Sequence, residues 1–150
     1  MMTIDPGASG GIAWMEHDSK TVKCMPMPEG MTGVADYIRE IAIPNHISVC
    51  VVEAVGGYRP GNSGPAAVKF ARHCGHIEAI MYMLGIRVEQ VQPNKWMSAI
   101  GTWPKGLENK KERKNAIKEE MARRYPHLRV TLAVSDALGI MEYAIQKGKQ

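Results

Sequence analysis

Apolar stretches broken by turn residues set out the chain's elements. Residues 2–5, Gly11 to Met15 and Thr21 to Met25 predict three short strands in a meander, with Asp18, Ser19 and Lys20 as turn residues. Gly33 to Ile43 predicts a helix ended by Pro44, and the Val-, Ile- and Cys-rich stretch from His46 to Ala54 a buried strand. After a Gly-rich loop at 56–64, Pro65 opens a helix whose apolar positions Ala66, Phe70, Ile77, Met81 and Leu84 continue to a stop at Gly85. Ile86 to Val91 predicts a fifth strand. Pro93 to Ile100 predicts a short helix, Leu107 to Tyr125 a charged one, and Ser135 to Gln146 an apolar one. A meander followed by alternating strands and helices predicts a mixed five-stranded α/β sheet with helices on both faces.

The 150 residues suit one domain, spanning 1–150, with a core of its own. The longest apolar run, Ile47 to Val55, contains Glu53 and is too short to span a bilayer, and nothing at the start indicates secretion. Cys24, Cys50 and Cys74 are odd in number and lack C-x-x-C spacing, which argues against a disulfide framework or zinc ribbon and fits a reducing cytoplasm. The net charge of +4 is concentrated. From Lys105 to Arg129, nine Lys and Arg face four Glu, a local +5 that leaves about −1 for the rest. A solvated helix face explains such a run, but a cationic excess set against acids elsewhere also fits a phosphate backbone held beside carboxylates.

Three acids stand in apolar settings. Asp5 ends the first strand before the turn Pro6-Gly7-Ala8-Ser9-Gly10-Gly11, Glu53 ends the fourth strand, and Asp136 lies in the apolar final helix. If the first and fourth strands are neighbours, Asp5 and Glu53 lie side by side and the last helix can bring Asp136 above them. Burial and mutual repulsion oppose three ionised carboxylates in one place unless a cation offsets them. Oxygen ligands of this kind suit Mg²⁺ or Mn²⁺, and two such ions about 4 Å apart can activate water and stabilise the leaving oxygen in phosphodiester cleavage.

The segments IDPGASGGI from Ile4, VVEAV from Val51 with GNSGPAAVKFARHCG after it, VQPNKW from Val91, and SDALGIMEYA from Ser135 resemble, in order, the RuvC-type Holliday-junction resolvases, and most of all their small phage-encoded branch. The resemblance spans nearly the whole chain. It implies a ribonuclease-H-like fold, a homodimer, and an endodeoxyribonuclease that nicks branched DNA (Holliday junctions, forks and flaps) in the cytoplasm of a host cell. Asp5, Glu53 and Asp136 match the family's catalytic, metal-binding acids, with two Mg²⁺ or Mn²⁺ ions per site. Lys95 matches a region where relatives place a lysine near the scissile phosphate. Tyr58 and Arg59 lie where the family sends an aromatic residue into the junction. With Lys105, Lys110, Lys111 and Lys114 of the basic segment, they complete the expected DNA-binding set.

Resolvases of this type commonly carry two acids three residues apart at the last motif, and here the earlier position is Ala133. Three acids suffice, or one ion is held weakly, or the chain is inactive. Glu142, six residues beyond Asp136, lies about 240° around a helix and is a poor substitute. Two rival functions stand beside branched-DNA cleavage: an RNA-directed nuclease, as the resemblance to this fold also implies, and a catalytically silent branched-DNA-binding module, which Ala133 would explain. His73 and His76 share a helix face and read as packing residues, Trp96 and Trp103 as core or hinge.

Overall fold

The computed structural model describes residues 1–54, 63–102 and 109–148. In chain order these form β1 (Met2–Asp5), β2 (Gly11–Met15), β3 (Val22–Pro26), α1 (Gly30–Ala42), β4 (Val49–Glu53), α2 (Gly64–Met83), β5 (Arg87–Val91), α3 (Pro93–Ala99), α4 (Lys110–Arg124) and α5 (Leu132–Gln146). The five strands make one sheet in the order β3-β2-β1-β4-β5. β1, β2 and β3 pair antiparallel as the expected meander, whereas β4 runs parallel to both β1 and β5. The mixed five-stranded α/β sheet expected from the sequence is the architecture found.

Strand alternation divides the apolar residues between two layers. Met2, Ile4, Ile12, Cys50 and Val52 pack with Val34, Ile38 and Ile41 of α1 and with Ile77 and Met81 of α2. Ala13, Val49, Val51 and Val91 pack on the other face with α3, α4 and α5, through Trp96, Met97, Ile117, Met121 and Leu138 among others. α5 is the most enclosed helix, with Val134 to Met141 all buried, as its nearly unbroken apolar sequence requires.

Two contacts hold α5 close to the sheet. The Thr3 hydroxyl, fully buried on β1, donates to the Ala137 carbonyl at 2.7 Å. At Gly11 the helix backbone comes so near that a Cβ would lie 2.5 Å from the Ala133 carbonyl oxygen and 3.1 Å from the Val134 Cα. Only glycine admits that approach.

Three helix starts differ from the sequence expectation. α4 begins at Lys110 rather than Leu107, because Asn109 is extended and caps it. α1 begins at Gly30 rather than Gly33, because Gly30 takes a φ of +69° that makes the entry turn. α5 begins at Leu132 rather than Ser135. The Thr131 carbonyl accepts from the amides of Val134 and Ser135, so the helix starts directly after β-branched Val130 and Thr131, which disguise it. No described helix is long and apolar enough to cross a membrane.

The Gly11 contact generates a paired expectation. Gly11→Ala should destabilise the protein by about 1–3 kcal/mol, since the obstacle is backbone rather than a movable side chain. Gly33→Ala, inside α1 with only Pro28 Cβ nearby at 3.7 Å, should instead stabilise it by up to about 1 kcal/mol. Urea unfolding of both variants measures the contrast, and equal effects would discount the close approach.

Candidate active site

The two-residue period that sends Thr3 and Val51 toward α5 sends Asp5 and Glu53 the same way. β1 and β4 are parallel with Thr3 opposite Val51 and Ile4 opposite Val52, so the same register carried one residue further sets Asp5 beside Glu53. Asp136 precedes the Ala137 carbonyl that Thr3 engages. Two strand ends and one helix thus deliver the three sequence-predicted acids to the same end of the sheet. Asp5 and Asp136 are buried and Glu53 is half-buried.

A lysine of α4 reaches them. The Lys114 ammonium lies 3.1 Å from Asp136 Oδ2. Burial alone would lower its affinity for the proton, but Asp136, by charge and hydrogen bond, and then Asp5 and Glu53, hold it above the ordinary lysine value. All three carboxylates therefore act electrostatically on one point, where a cation now sits. Among the described residues, no three His, Cys, Asp or Glu side chains converge as a ready-made metal cage. The donor set and the focus of negative charge suit a hard divalent cation, and Lys114 holds the compensating charge in this arrangement.

Neighbouring side chains fix the acids further. Trp96 Nε1 donates to Glu53 Oε1 at 3.1 Å, and Ser135 Oγ lies 3.3 Å from Asp136 Oδ1. Gly10 packs so tightly under Asp5 that a Cβ would collide with the Asp5 carbonyl. With Gly11 against α5, and Gly7 at a φ of +116° beneath the Phe70 ring, the glycines after Asp5 serve the turn and its packing. Cys74 of α2 borders the site, its thiol raised first by burial and then by Glu78 and Asp5. Next to it a cavity of about 70 Å³ is lined by Pro6, Glu53, Cys74 and Gln90, among others.

The basic segment is not uniform. Toward the end of α4, Arg123 and Arg124 both bind Glu120, holding its carboxyl down to about 2, and Arg124 also bridges to Glu142 at 2.8 Å. Lys110 and Lys111 are exposed in the first turn, after Asn109 has capped the helix by accepting from the Glu112 amide. Among the described residues, neither lysine has an ion pair. Lys110 and Lys111 therefore offer free positive charge at the end of α4 nearer Lys114 and the acids.

Other expected residues stand as follows. Lys95 is exposed in the first turn of α3. Tyr58, Arg59, Lys105 and Trp103 lie outside the described residues. Trp96 is 1% exposed, the core residue expected, but its bond to Glu53 and the ion pair of Lys114 with Asp136 are roles that sequence did not reveal. Glu142 binds Arg124 and Tyr125 in a cluster of its own. His73 is half-buried with its proton affinity lowered by burial, in keeping with packing.

No protein-family model and no curated protein sequence matches the chain. Among solved structures it is similar to Thermus thermophilus RuvC, with a TM-score of 0.62 at 16% identity over 99% of this chain and 97% of that one. It is also similar to T. thermophilus RuvC in complex with Holliday junction substrate, with a TM-score of 0.64 and the same identity and coverage. Fowlpox virus resolvase, in a crystal structure with its substrate Holliday junction DNA, gives a TM-score of 0.49 at 10% identity over 96% and 98% of the two chains. The RuvC likeness establishes the fold, a ribonuclease-H-like α/β sheet.

The Lys114–Asp136 pair leads to a stability expectation. Lys114→Met leaves the carboxylates without their ammonium and should destabilise the protein, while Lys114→Met with Asp136→Asn should recover part of the loss. The coupling energy in a double-mutant cycle should be about 1 kcal/mol. Because the folded-state value of Lys114 is raised, its contribution is complete below the unfolded lysine value of about 10.4 and fades as pH rises through the folded value. Urea unfolding at neutral and at alkaline pH checks both statements, and strictly additive single effects would dismiss the pair.

Proposed function

We propose that the chain is a metal-dependent, structure-selective endonuclease of the resolvase kind that nicks branched DNA, four-way junctions first and forks and flaps as related substrates. One observation carries the reading: Asp5, Glu53 and Asp136 direct their charge onto one cation position, at the end of α4 that keeps free lysines. The RuvC fold supports it, as a scaffold on which a relative binds Holliday junction substrate. The motifs add the small phage-encoded branch and a cytoplasmic setting, with residues 1–150 as one nuclease domain.

Asp5, Glu53 and Asp136 would hold Mg²⁺ or Mn²⁺, which supplies an activated water and charge neutralisation at the phosphodiester. The protein's own residues do the rest. Trp96 and Ser135 restrain two of the carboxylates, and Lys110 and Lys111 hold the phosphate backbone. Lys114 has to give up Asp136 before that carboxylate can serve a metal, and its charge then stands beside the bound phosphate. Lys95, Tyr58, Arg59 and Lys105 complete the DNA-binding surface in this reading. The Lys114 ion pair also favours the silent DNA-binding module, because a lysine can neutralise an acid site permanently.

A labelled four-way junction separates the two readings. With Mg²⁺ or Mn²⁺ the protein should nick it, and Asp5→Asn or Asp136→Asn should reduce nicking by at least about a hundredfold while binding survives or tightens. Binding without nicking in either metal would favour the silent module. Wild-type nicking by Asp5→Asn would overturn the site.

The paired nicks that resolve a junction call for two sites related by a two-fold axis, and α2 is the surface that suits such a homodimer. Of its 20 residues only Ile77 and Met81 are buried, while Val68, Tyr82 and Met83 are 60%, 84% and 80% exposed. Ile80 and Leu84 pack partly against their own core, so Met83 is the cleaner probe of the outer surface. Light scattering at micromolar concentration should give twice the 16.6 kDa chain mass, and Met83→Asp should give a folded monomer. A wild-type monomer making coupled nicks would exclude this arrangement.

A further inference from the structure

Trp96 sits where three parts of the fold meet. It belongs to α3, its ring is almost fully enclosed, and its single polar atom donates to Glu53 Oε1 at 3.1 Å. Its six-membered ring lies against α5 at Gly139. A Cβ there would stand 2.6 Å from Trp96 Cζ3 and 3.0 Å from Cε3, closer than real atoms come. The missing side chain at 139 is thus filled by the indole. Gly139 is three residues beyond Asp136, on the neighbouring turn of the same helix.

We propose that Trp96 is the positioning residue for Glu53, and that Gly139 is the vacancy in α5 that seats it. The inference rests on the reading of Glu53 as a metal ligand. α5 then sets the geometry of the site twice. It carries Asp136 directly, and through the indole lodged at Gly139 it fixes the carboxylate at the tip of β4. A glutamate side chain has three rotatable bonds and loses freedom when it binds an ion, and a rigid donor on one oxygen removes that freedom beforehand. Outer hydrogen bonds of this kind commonly change metal affinity 10- to 100-fold. A buried indole also needs an acceptor for its own sake, and that simpler role would affect folding alone.

The test compares ion binding with folding. Mn²⁺ titrated calorimetrically into the full chain should bind about 10- to 100-fold more weakly to Trp96→Phe, which keeps an aromatic ring but lacks the N–H, with circular dichroism unchanged. Gly139→Ala keeps the N–H but displaces the ring, and should weaken Mn²⁺ in the same direction. In the wild-type protein, the Trp96 indole N–H resonance should move on adding Mg²⁺ and should be displaced in Glu53→Gln. That spectrum decides the matter even if Trp96→Phe fails to fold, since an indole indifferent to both changes overturns the proposal. If Glu53→Gln weakens Mn²⁺ binding and Trp96→Phe does not, the positioning role alone falls. If Glu53→Gln leaves Mn²⁺ affinity unchanged, the ligand assignment falls first and takes the positioning role with it.

Discussion

Three carboxylates gathered at one end of a sheet repel one another, and the rest of the structure is arranged around that repulsion. The Lys114–Asp136 ion pair offsets it. The ammonium is held at 3.1 Å by Asp136 and drawn by Asp5 and Glu53 together. Removing a counter-charge from partly buried acids is costly, because low-dielectric surroundings strengthen repulsion as much as attraction. A cation of some kind is therefore part of the folded site. Whether it is a side chain or an ion depends on which can be exchanged at α4.

The far end of α4 is firmly held. Arg124 binds Glu120, Glu142 and the Ile100 carbonyl, and Tyr125 donates to Glu142, so the helix is anchored to α5 and the end of α3 three turns from Lys114. Burial and Glu142 together raise the proton affinity of the Tyr125 hydroxyl above its usual range, so it remains a donor to Glu142 into alkaline solution. The early turns of α4 carry exposed lysines and fewer internal ties. One helix thus has a fixed end and an available end. The mean positive charge of the segment conceals that division.

The acids were legible in the sequence because alternation and register obey simple rules. Asp5 and Glu53 each end a strand, and once β1 and β4 pair in parallel their meeting follows from the pleat. Asp136 stood out as a charge in an otherwise apolar helix. The supporting contacts were not legible. Nothing in the spacing of Trp96 says that its N–H meets a carboxylate 43 positions away, and Lys114 looked like any other cation in a basic run. Both depend on how helices pack across the sheet, a long-range matter that local pattern does not carry. The glycines after Asp5 show the opposite limit: their motif was visible, but their work in packing against Asp5, α5 and Phe70 was not.

The Thr3–Ala137 bond joins residues 134 positions apart, so the site's two aspartates come from opposite parts of the chain. During synthesis Asp5 and Glu53 emerge long before α5, and until that helix docks, the sheet face bearing both acids is uncovered. Closing so long a loop belongs to the late, slow steps of folding. The growing polypeptide therefore carries two of the three acids but no assembled site. A protein with the proposed activity would gain it only when α5 has docked and brought Asp136 to the other two acids.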